Sequence, residues 1–251
     1  MSALNLLKQL GVELSPRSTL LIYGPPMAGK TALALLIARE LKLPTKLLAL
    51  ELSWRENDYC SFIKKYAPEK MDVVYPEDVK SIFHALRSVQ KPSTIIVDSL
   101  SVLADYVSSR LTTAIGYDIL PLVARISPLM RVVAYEVKKT CIHTNSVGLM
   151  VAQAGGGPEA YRGISSLRPS IAQRVGHYCT YIVLLETCKD VKKLTLVASR
   201  VRPWLEGRCI EFKFRELVEK GGATLPSKLP GKPIGGNKEA TVLHSKAVKG
   251  N

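Results

Sequence analysis

The sequence predicts an α/β fold: a mainly parallel sheet with helices on both faces, arranged in three layers. Two observations carry this prediction. Short apolar segments alternate along the chain with longer stretches of helical spacing, and this alternation is typical of right-handed βαβ units. The first four apolar segments hold almost no polar residues, which is expected for strands that are covered on both faces.

Six segments are predicted as strands: 19–23, 46–50, 94–97, 147–151, 180–185 and 193–197. Four segments between them are predicted as helices: 31–41, 54–66, 76–89 and 117–140. Only a short polar link, residues 187–192, separates the last two strands. We therefore expect these two strands to form an antiparallel hairpin at the C-terminal end of the sheet.

The composition indicates one folded body with a basic extension. The 251 residues carry 35 Lys and Arg against 21 Asp and Glu, a formal net charge of +14, and the hydrophobic content of 47% excludes a disordered chain. We expect residues 1–218 to form the body and residues 219–251, rich in Lys, Gly and Pro, to form a mobile basic tail. The five cysteines and four histidines show no metal-ligand spacing, which favours reduced thiols, mostly in the core, over zinc or disulfides.

The sequence shows no feature that would place the protein in a membrane. No apolar run approaches the ~18 residues that a spanning helix needs, and residues 1–8 lack the basic-then-apolar order of a signal peptide. We therefore expect a cytoplasmic protein without a membrane partner. Its positive charge suits a polyanionic partner such as nucleic acid.

The segment after the first predicted strand fits the phosphate-loop pattern G-x-x-x-x-G-K-[ST] in full. It consists of Gly24, Pro25, Pro26, Met27, Ala28, Gly29, Lys30 and Thr31. The glycines let the backbone curl so that N–H groups surround phosphate oxygens, and the start of the next helix adds partial positive charge. Lys30 is expected to reach the β- and γ-phosphates and the Thr31 hydroxyl to bind Mg²⁺. The segment thus predicts ATP and Mg²⁺ as ligands, with a structural Gly-rich turn as the alternative.

Asp98 is a second candidate for the metal site. It closes the apolar strand 94–97, which puts a carboxylate at the carboxyl edge of the sheet beside the phosphate loop. There it is placed to hold Mg²⁺ through water or to orient Thr31. A plain strand-ending turn is the alternative.

Glu51 is the candidate general base. It directly follows strand 46–50, where a carboxylate is placed to orient and deprotonate a water for attack on the γ-phosphate. The alternative is that Glu51 caps the following helix. Ser53, with Glu56 three residues later, fits a capping box, and this interpretation leaves Glu51 free.

These elements, in this order and spacing, followed by the strand that ends at Gln153, resemble the RecA-like ATPases and their P-loop NTPase core. The nearest likeness is to the archaeal RadA and RadB recombinase group and its short paralogues, with KaiC-like ATPases as close relatives. It spans roughly residues 1–215 and implies a Mg²⁺-dependent ATPase. The first predicted strand begins at Thr19, so we expect the chain to lack the helical N-terminal DNA-binding domain of full-length RadA.

The resemblance implies roles for further residues. Glu51 matches the family's catalytic glutamate, and Gln153 matches the glutamine that senses the γ-phosphate at the start of the second DNA-binding loop. That loop would be residues 154–168, and a surface loop without a partner is the alternative. The arginines in or near it are the DNA-binding candidates: Arg162, Arg168 and Arg174. On the stretch after Glu51, Arg55 and Tyr59 are candidates for the adenine contact.

Arg200 and Arg202 are similar to an element that KaiC-like and ring-helicase relatives insert into the ATP site of a neighbouring subunit. Two arginines at positions i and i+2 of a strand face the same way, as a clamp on a γ-phosphate requires. Arg200 stands where that element has lysine. Solvated or nucleic-acid-facing arginines are the alternative.

Two functions are compatible with the sequence. The first is a DNA-associated ATPase, a recombinase paralogue that binds single-stranded DNA and assists recombinational repair, either as a homo-oligomer or together with a full-length recombinase. The basic charge favours it. The second is a KaiC-like nucleotide switch that regulates a protein partner and has little or no DNA role, which the Arg200 and Arg202 element favours.

Overall fold

The computed structural model describes residues 1–103, 120–154 and 175–220. In these residues eight strands form one sheet in the order β3-β2-β4-β5-β1-β6-β7-β8. The strands are β1 (Thr19–Gly24), β2 (Thr45–Ala49), β3 (Met71–Val74), β4 (Thr94–Asp98), β5 (Val147–Gln153), β6 (Tyr181–Cys188), β7 (Val191–Ser199) and β8 (Cys209–Phe212).

Strands β1 to β6 run parallel, and β7 and β8 are added antiparallel to β6 and to each other. The predicted fold class and the predicted C-terminal hairpin are therefore confirmed. The hairpin turns between Cys188 and Val191, and Lys189 takes a left-handed backbone conformation there (φ 54°). A positive φ is what a tight turn between twisted antiparallel strands requires.

The helices cover both faces of the sheet. They are α1 (Ala3–Leu10), α2 (Lys30–Leu41), α3 (Asn57–Lys64), α4 (Val79–Arg87), α5 (Leu120–Thr144) and α6 (Phe214–Lys220). Buried residues of α1, α2, α3 and α6 form one apolar cluster with one face of the strands. Buried residues of α4 and α5 form a second cluster with the opposite face, which gives the three predicted layers.

All six predicted strands are present, and the structure adds two that the pattern did not indicate, β3 and β8. Both are edge strands of four residues, too short to show a clear apolar pattern. The helix expected over 54–66 is divided: a 3-10 turn, Leu52–Arg55, precedes α3. The indole of Trp54 is buried in the core from this turn, which fixes the chain before the helix begins.

Helix α1 was not predicted, although its residues carry the usual signals. Its buried positions Ala3, Leu6, Leu7 and Leu10 follow the i, i+3, i+4, i+7 spacing. The Ser2 side chain accepts a hydrogen bond from the Asn5 N–H at the start, and Gly11 ends the helix at φ 92°. The carboxylate of Glu40, from the end of α2, accepts the Ala3 and Leu4 N–H groups at 2.7 and 2.8 Å, which also suits the positive end of a helix.

The body and its surface agree only partly with the expectations. Leu217 and Val218 of α6 are buried in the core, and the basic tail stays a prediction because residues 221–251 lie outside the described residues. All five cysteines are free thiols. They are not mostly buried as expected: Cys141 and Cys179 are buried, and Cys209 is exposed. Among the described helices, none has both the length and the apolarity that crossing a membrane requires.

The contact between β1 and β6 leaves no room for a side chain at the end of β1. A Cβ on Gly24 would overlap the backbone carbonyl of Leu185 in β6. We expect Gly24→Ala to lower the free energy of unfolding by ~2–4 kcal/mol, because backbone must move to relieve the overlap. Urea unfolding measures this change. Gly176→Ala is the control, since its Cβ would meet only the side chain of Ile182, at 3.3 Å; equal losses for the two variants would contradict the prediction.

Candidate nucleotide site

The predicted site residues lie along one edge of the sheet. Strands β2, β4, β5 and β1 are consecutive neighbours and parallel, so their carboxyl ends meet at the same edge. Glu51 follows β2, Asp98 ends β4, Gln153 ends β5, and the phosphate loop follows β1. In open α/β sheets, ligands bind at this edge.

The phosphate loop has the backbone shape that an anion site requires. Gly29 precedes α2 in a left-handed conformation (φ 96°) and gives the helix no side-chain cap. The first N–H groups of α2 therefore have neither an acceptor within the helix nor a capping side chain, and they point at the loop with roughly half a positive charge. Met27 also has positive φ, at 59°, and its side chain is 97% exposed, so the tip of the loop faces solvent.

Lys30 is buried under this loop. The residue is only 7% exposed, and its Nζ donates a hydrogen bond to the carbonyl of Pro25 at 2.7 Å. Burial lowers the pKa of Lys30 to about 8, against the raising effect of the charges of Asp98 and Glu51. An ammonium group held this close to a protein carbonyl in a dry site is ready to exchange that acceptor for a phosphate oxygen.

Asp98 joins three segments of the site. Its Oδ2 accepts hydrogen bonds from the Thr31 hydroxyl at 2.9 Å and from the Trp54 indole Nε1 at 2.8 Å. The residue is fully buried, and its Oδ1 has no partner among the described residues. The peptide bond that follows it, to Ser99, is cis. The Thr31 bond fits the predicted pairing of loop hydroxyl and strand-end carboxylate, and the Oδ1 is an unused acceptor.

The electrostatics of Asp98 disfavour its charge in the absence of a cation. Burial and the nearby charge of Glu51 raise its pKa to about 6, and the hydrogen bonds from Trp54 and Thr31 and the charge of Lys30 only partly oppose this shift. Two carboxylates and one ammonium group therefore share a poorly hydrated site. A divalent cation would offset the repulsion between the carboxylates.

Glu51 lies close to this cluster but is not engaged as a helix cap. Its N–H donates to the carbonyl of Asp98 at 3.3 Å, and its Oε2 accepts a long hydrogen bond from the Ser53 hydroxyl at 3.4 Å. The predicted capping box is wrong, because Ser53 lies inside the 3-10 turn and the N-cap of α3 is Glu56, which makes no side-chain cap. The Glu51 carboxylate is nevertheless left for other contacts.

Two aromatic residues of the site were not assigned this place from the sequence. The pattern indicated Trp54 only as part of a helix, and Tyr59 as a candidate for adenine. The Tyr59 hydroxyl is in hydrogen-bond contact with Thr31 and Ser53, and burial raises its pKa to about 12. The Trp54 and Tyr59 rings meet edge to face at 5.6 Å between centroids. A short spacing after Glu51 was the only available signal, and it did not distinguish the adenine side from the metal side.

Gln153 stands beside the phosphate loop. It is paired in register with Gly24 across β5 and β1, and the next residue, Ala154, donates its N–H to the Gly24 carbonyl at 2.9 Å. The Gln153 N–H in turn donates to the Ser101 hydroxyl at 2.6 Å. The arginines expected on the following loop, Arg162, Arg168 and Arg174, lie outside the described residues.

The structure places Arg200 and Arg202 elsewhere than expected. Strand β7 ends at Ser199, so neither arginine lies on a strand and the expected common face is wrong. Because β7 runs antiparallel and Ser199 pairs with Tyr181, both arginines lie at the amino edge of the parallel strands, opposite the phosphate loop. Arg202 forms an ion pair with Glu13 at 3.0 Å, and Arg200 is exposed.

The residues at the carboxyl edge fit a magnesium ion that is bound together with a nucleotide. The buried, unpartnered Oδ1 of Asp98 and the Thr31 hydroxyl are hard oxygen ligands of the kind that Mg²⁺ prefers. In the described parts of the chain, no cluster of three or more His, Cys, Asp or Glu side chains could hold a metal ion. Two protein oxygens completed by phosphate and water agree with how Mg²⁺ is usually bound.

Comparison with known proteins agrees with this geometry. Residues 20–113 match the family model "ATPase family associated with various cellular activities (AAA)". Similar solved structures include a helicase ATPase domain, at 14% identity and a TM-score of 0.55, covering 88% of this chain and 89% of that one. The RadB recombinase is similar at 18% identity and a TM-score of 0.54, covering 84% of this chain and 94% of that one. No curated protein matches the sequence.

The fold and the site together define a nucleotide-binding P-loop ATPase domain. Its architecture is that of the RecA-like P-loop ATPases, which the two structural neighbours share with it.

The indole of Trp54 tests the importance of the Asp98 contacts. We expect Trp54→Phe to lower the free energy of unfolding by ~1.5–3 kcal/mol, because it removes a buried hydrogen bond to a carboxylate while an aromatic ring remains in the core. Urea unfolding measures the loss. Trp204→Phe is the matched control, since Trp204 is 75% exposed and its change should stay within ~0.5 kcal/mol. A Trp54→Phe protein as stable as wild type would contradict the assignment.

The raised pKa of Asp98 predicts how stability depends on pH. The pKa is about 6 in the folded chain, above its ordinary value of 3.8, so the folded state binds this proton more tightly than the unfolded state. Its contribution to stability is present at low pH and is lost as pH rises through about 6. Relative to Asp98→Asn, we expect wild type without nucleotide to lose about 2 kcal/mol between pH ~4 and ~7. Urea unfolding across this range checks the difference, and a flat difference would refute the buried charge.

Proposed function

We propose that this protein hydrolyses ATP with Mg²⁺ at the carboxyl edge of its sheet, and that it is a RecA-like paralogue of the RadA and RadB type that binds single-stranded DNA and assists recombinational repair. The observation that supports the ATPase activity most directly is the meeting of Lys30, Thr31, Asp98 and Glu51 at one edge. The 2.9 Å hydrogen bond from Thr31 to Asp98 ties the loop to the strand-end carboxylate.

Each residue has a distinct proposed task. The backbone N–H groups of Gly24–Thr31 and the Lys30 ammonium hold the phosphates. Thr31 and Asp98 hold Mg²⁺, which neutralises charge that develops on the phosphate oxygens. Glu51 orients a water and takes up its proton as it attacks the γ-phosphate. Gln153, next to Gly24, is placed to respond to the γ-phosphate and to pass its presence to the loop that follows.

The proposed DNA association rests on charge. The chain carries a net charge of +14, and neutralising backbone phosphates releases counterions whatever the base sequence. The similarity to the RadB recombinase, at 18% identity, is compatible with this proposal. Arg162, Arg168 and Arg174 remain the proposed contacts on the loop after Gln153. Binding is expected to weaken steeply as salt rises.

A second candidate is a nucleotide switch of the KaiC type that acts on a protein partner or on another copy of itself. Two large apolar side chains beside Arg200 and Arg202 favour it: Val201 is 54% and Trp204 75% exposed. Exposed apolar surface of this kind marks contact sites between proteins. In this function Arg200 and Arg202 would act in the ATP site of the neighbour.

ATP turnover of three variants and wild type, with and without single-stranded DNA, tests the proposal. Lys30→Ala is expected to lose productive phosphate binding. Glu51→Gln is expected to keep ATP binding and to slow hydrolysis by ~10²–10⁴-fold, because the water loses its base. Glu56→Gln, an exposed acid five residues further on, is the control and should keep the wild-type rate.

The outcomes separate the candidates. A full rate for Glu51→Gln would overturn the base assignment. Turnover that rises with DNA supports the DNA-associated ATPase. ATP-dependent oligomers that form regardless of DNA, together with no DNA binding at ~50 mM salt, would replace it with the switch.

A further inference from the structure

We propose that the amino edge of the sheet carries a second nucleic-acid contact, separate from the loop after β5. The amino-edge face consists of Arg17, Lys138 and Arg200 with Tyr135 and Tyr178 beside them, and it binds the phosphate backbone of single-stranded nucleic acid. This inference rests on the DNA association proposed above and names a surface for it.

The three cations are held together where β1, β6 and β7 meet helix α5. The Lys138 Nζ donates hydrogen bonds to the carbonyl of Arg17 at 2.8 Å and to the Thr180 hydroxyl at 3.3 Å. The Arg200 N–H donates to the carbonyl of Thr180 at 3.0 Å. Strand ends and one helix thus fix three positive charges on one continuous surface.

These charges have no carboxylate partners in the part of the chain that the structure describes. The ion pairs found there join other residues: Lys46 with Asp72, Lys139 with Glu136, and Arg202 with Glu13. The Arg17 guanidinium instead donates its Nε–H to the neutral amide oxygen of Asn145 at 2.7 Å.

The proximity of the cations is visible in the electrostatics of Lys138. Burial lowers the pKa of Lys138, and the charge of Arg200 lowers it further, against the opposing effect of Cys141. The acid that lines the adjoining groove, Glu206, is engaged by the backbone N–H of Ser199 at 3.0 Å. The surface is therefore self-repelling until an anion covers it.

Aromatic rings and a groove adjoin the cations. Tyr135 is 47% exposed, and its ring meets that of Tyr178 at 5.8 Å between centroids. A groove of about 340 Å³ beside them is lined by His177, Thr180 and Arg200, among others. Cations along a groove with an exposed ring are the arrangement by which proteins bind single strands, since the backbone follows the charges and a base stacks on the ring.

Two other occupants fit less well. A second copy of this chain also carries +14, so its approach to a positive face is unfavourable. The nucleotide of the chain's own ATP site is out of reach, because the six residues of β1 separate Arg17 from the phosphate loop by roughly 20 Å. A long polyanion is the partner that matches several separated cations.

The test compares two double variants with wild type in fluorescence anisotropy titrations with labelled oligothymidylate over a range of salt. Arg17→Gln with Lys138→Gln removes two charges from the amino-edge face. Lys8→Gln with Lys64→Gln removes two exposed charges from α1 and α3, which pack on the opposite face of the sheet. We expect the first pair to weaken binding roughly twentyfold at ~0.1 M salt and to lower the salt slope by about 1.4, and the second pair to change neither appreciably.

Two further measurements keep the result interpretable. Urea unfolding checks that the Arg17 and Lys138 variant is folded, and its affinity for ATP should equal that of wild type. If that variant is not folded, Arg200→Gln replaces it, because the Arg200 side chain is exposed and forms no ion pair with the described residues. This single variant should weaken binding about fivefold.

The outcomes are distinct. Wild-type affinity and salt slope in the amino-edge variants would overturn this inference and leave the proposed DNA association standing. The absence of DNA binding by wild type would overturn both. A change in oligomeric state with unchanged DNA binding would assign the face to contact between copies and would also overturn the inference.

Discussion

The candidate site depends on one buried carboxylate. Asp98 Oδ2 is held by the Thr31 hydroxyl and the Trp54 indole at once, so it connects the start of α2, the turn after β2 and the end of β4. Each of these segments carries one part of the predicted chemistry: the phosphate loop, the candidate base and the candidate metal ligand. Since the carboxylate is fully buried and its other oxygen has no partner in the described structure, the site combines fixed geometry with an unsatisfied preference for a cation.

Burial makes this arrangement unfavourable for stability and useful for binding. An isolated carboxylate loses hydration when it is buried, and the neighbouring Glu51 charge adds repulsion. The opposite shift of Lys30 has the same cause. Groups whose pKa values are pushed towards each other in this way concentrate at functional sites, because their charges are best compensated only when the ligand is present.

The sequence predicted the parts of the molecule whose signals are local. The phosphate loop could be recognised because Gly24, Gly29, Lys30 and Thr31 follow one another in a fixed pattern, and the buried strands because they are uniformly apolar. Helix α1 carries local signals too, in its leucine spacing and its two caps, so it was also predictable. Contacts between distant segments were different: no spacing indicates that Trp54 reaches Asp98, or that β7 ends before Arg200. Tertiary packing decides both.

The two edges of the sheet differ in charge. At the carboxyl edge, acids follow β2 and β4 close to a single buried lysine. At the amino edge, Arg17 precedes β1 and Arg200 follows β7, and the acids found nearby are already engaged. The polarity belongs to the topology, because residues before parallel strands and residues after them are collected on opposite sides of the molecule.

Helix α2 is a rigid rod between these two sides. Its twelve residues measure about 18 Å; its first turn borders the phosphate loop, and near its last turn Glu40 holds the N-terminal N–H groups of α1 through both carboxylate oxygens. Any tilt of this rod at the loop end therefore displaces the anchor of α1 at the far end. The protein thus has a built-in mechanical linkage between the place where phosphate is gripped and a surface on the other side of the sheet.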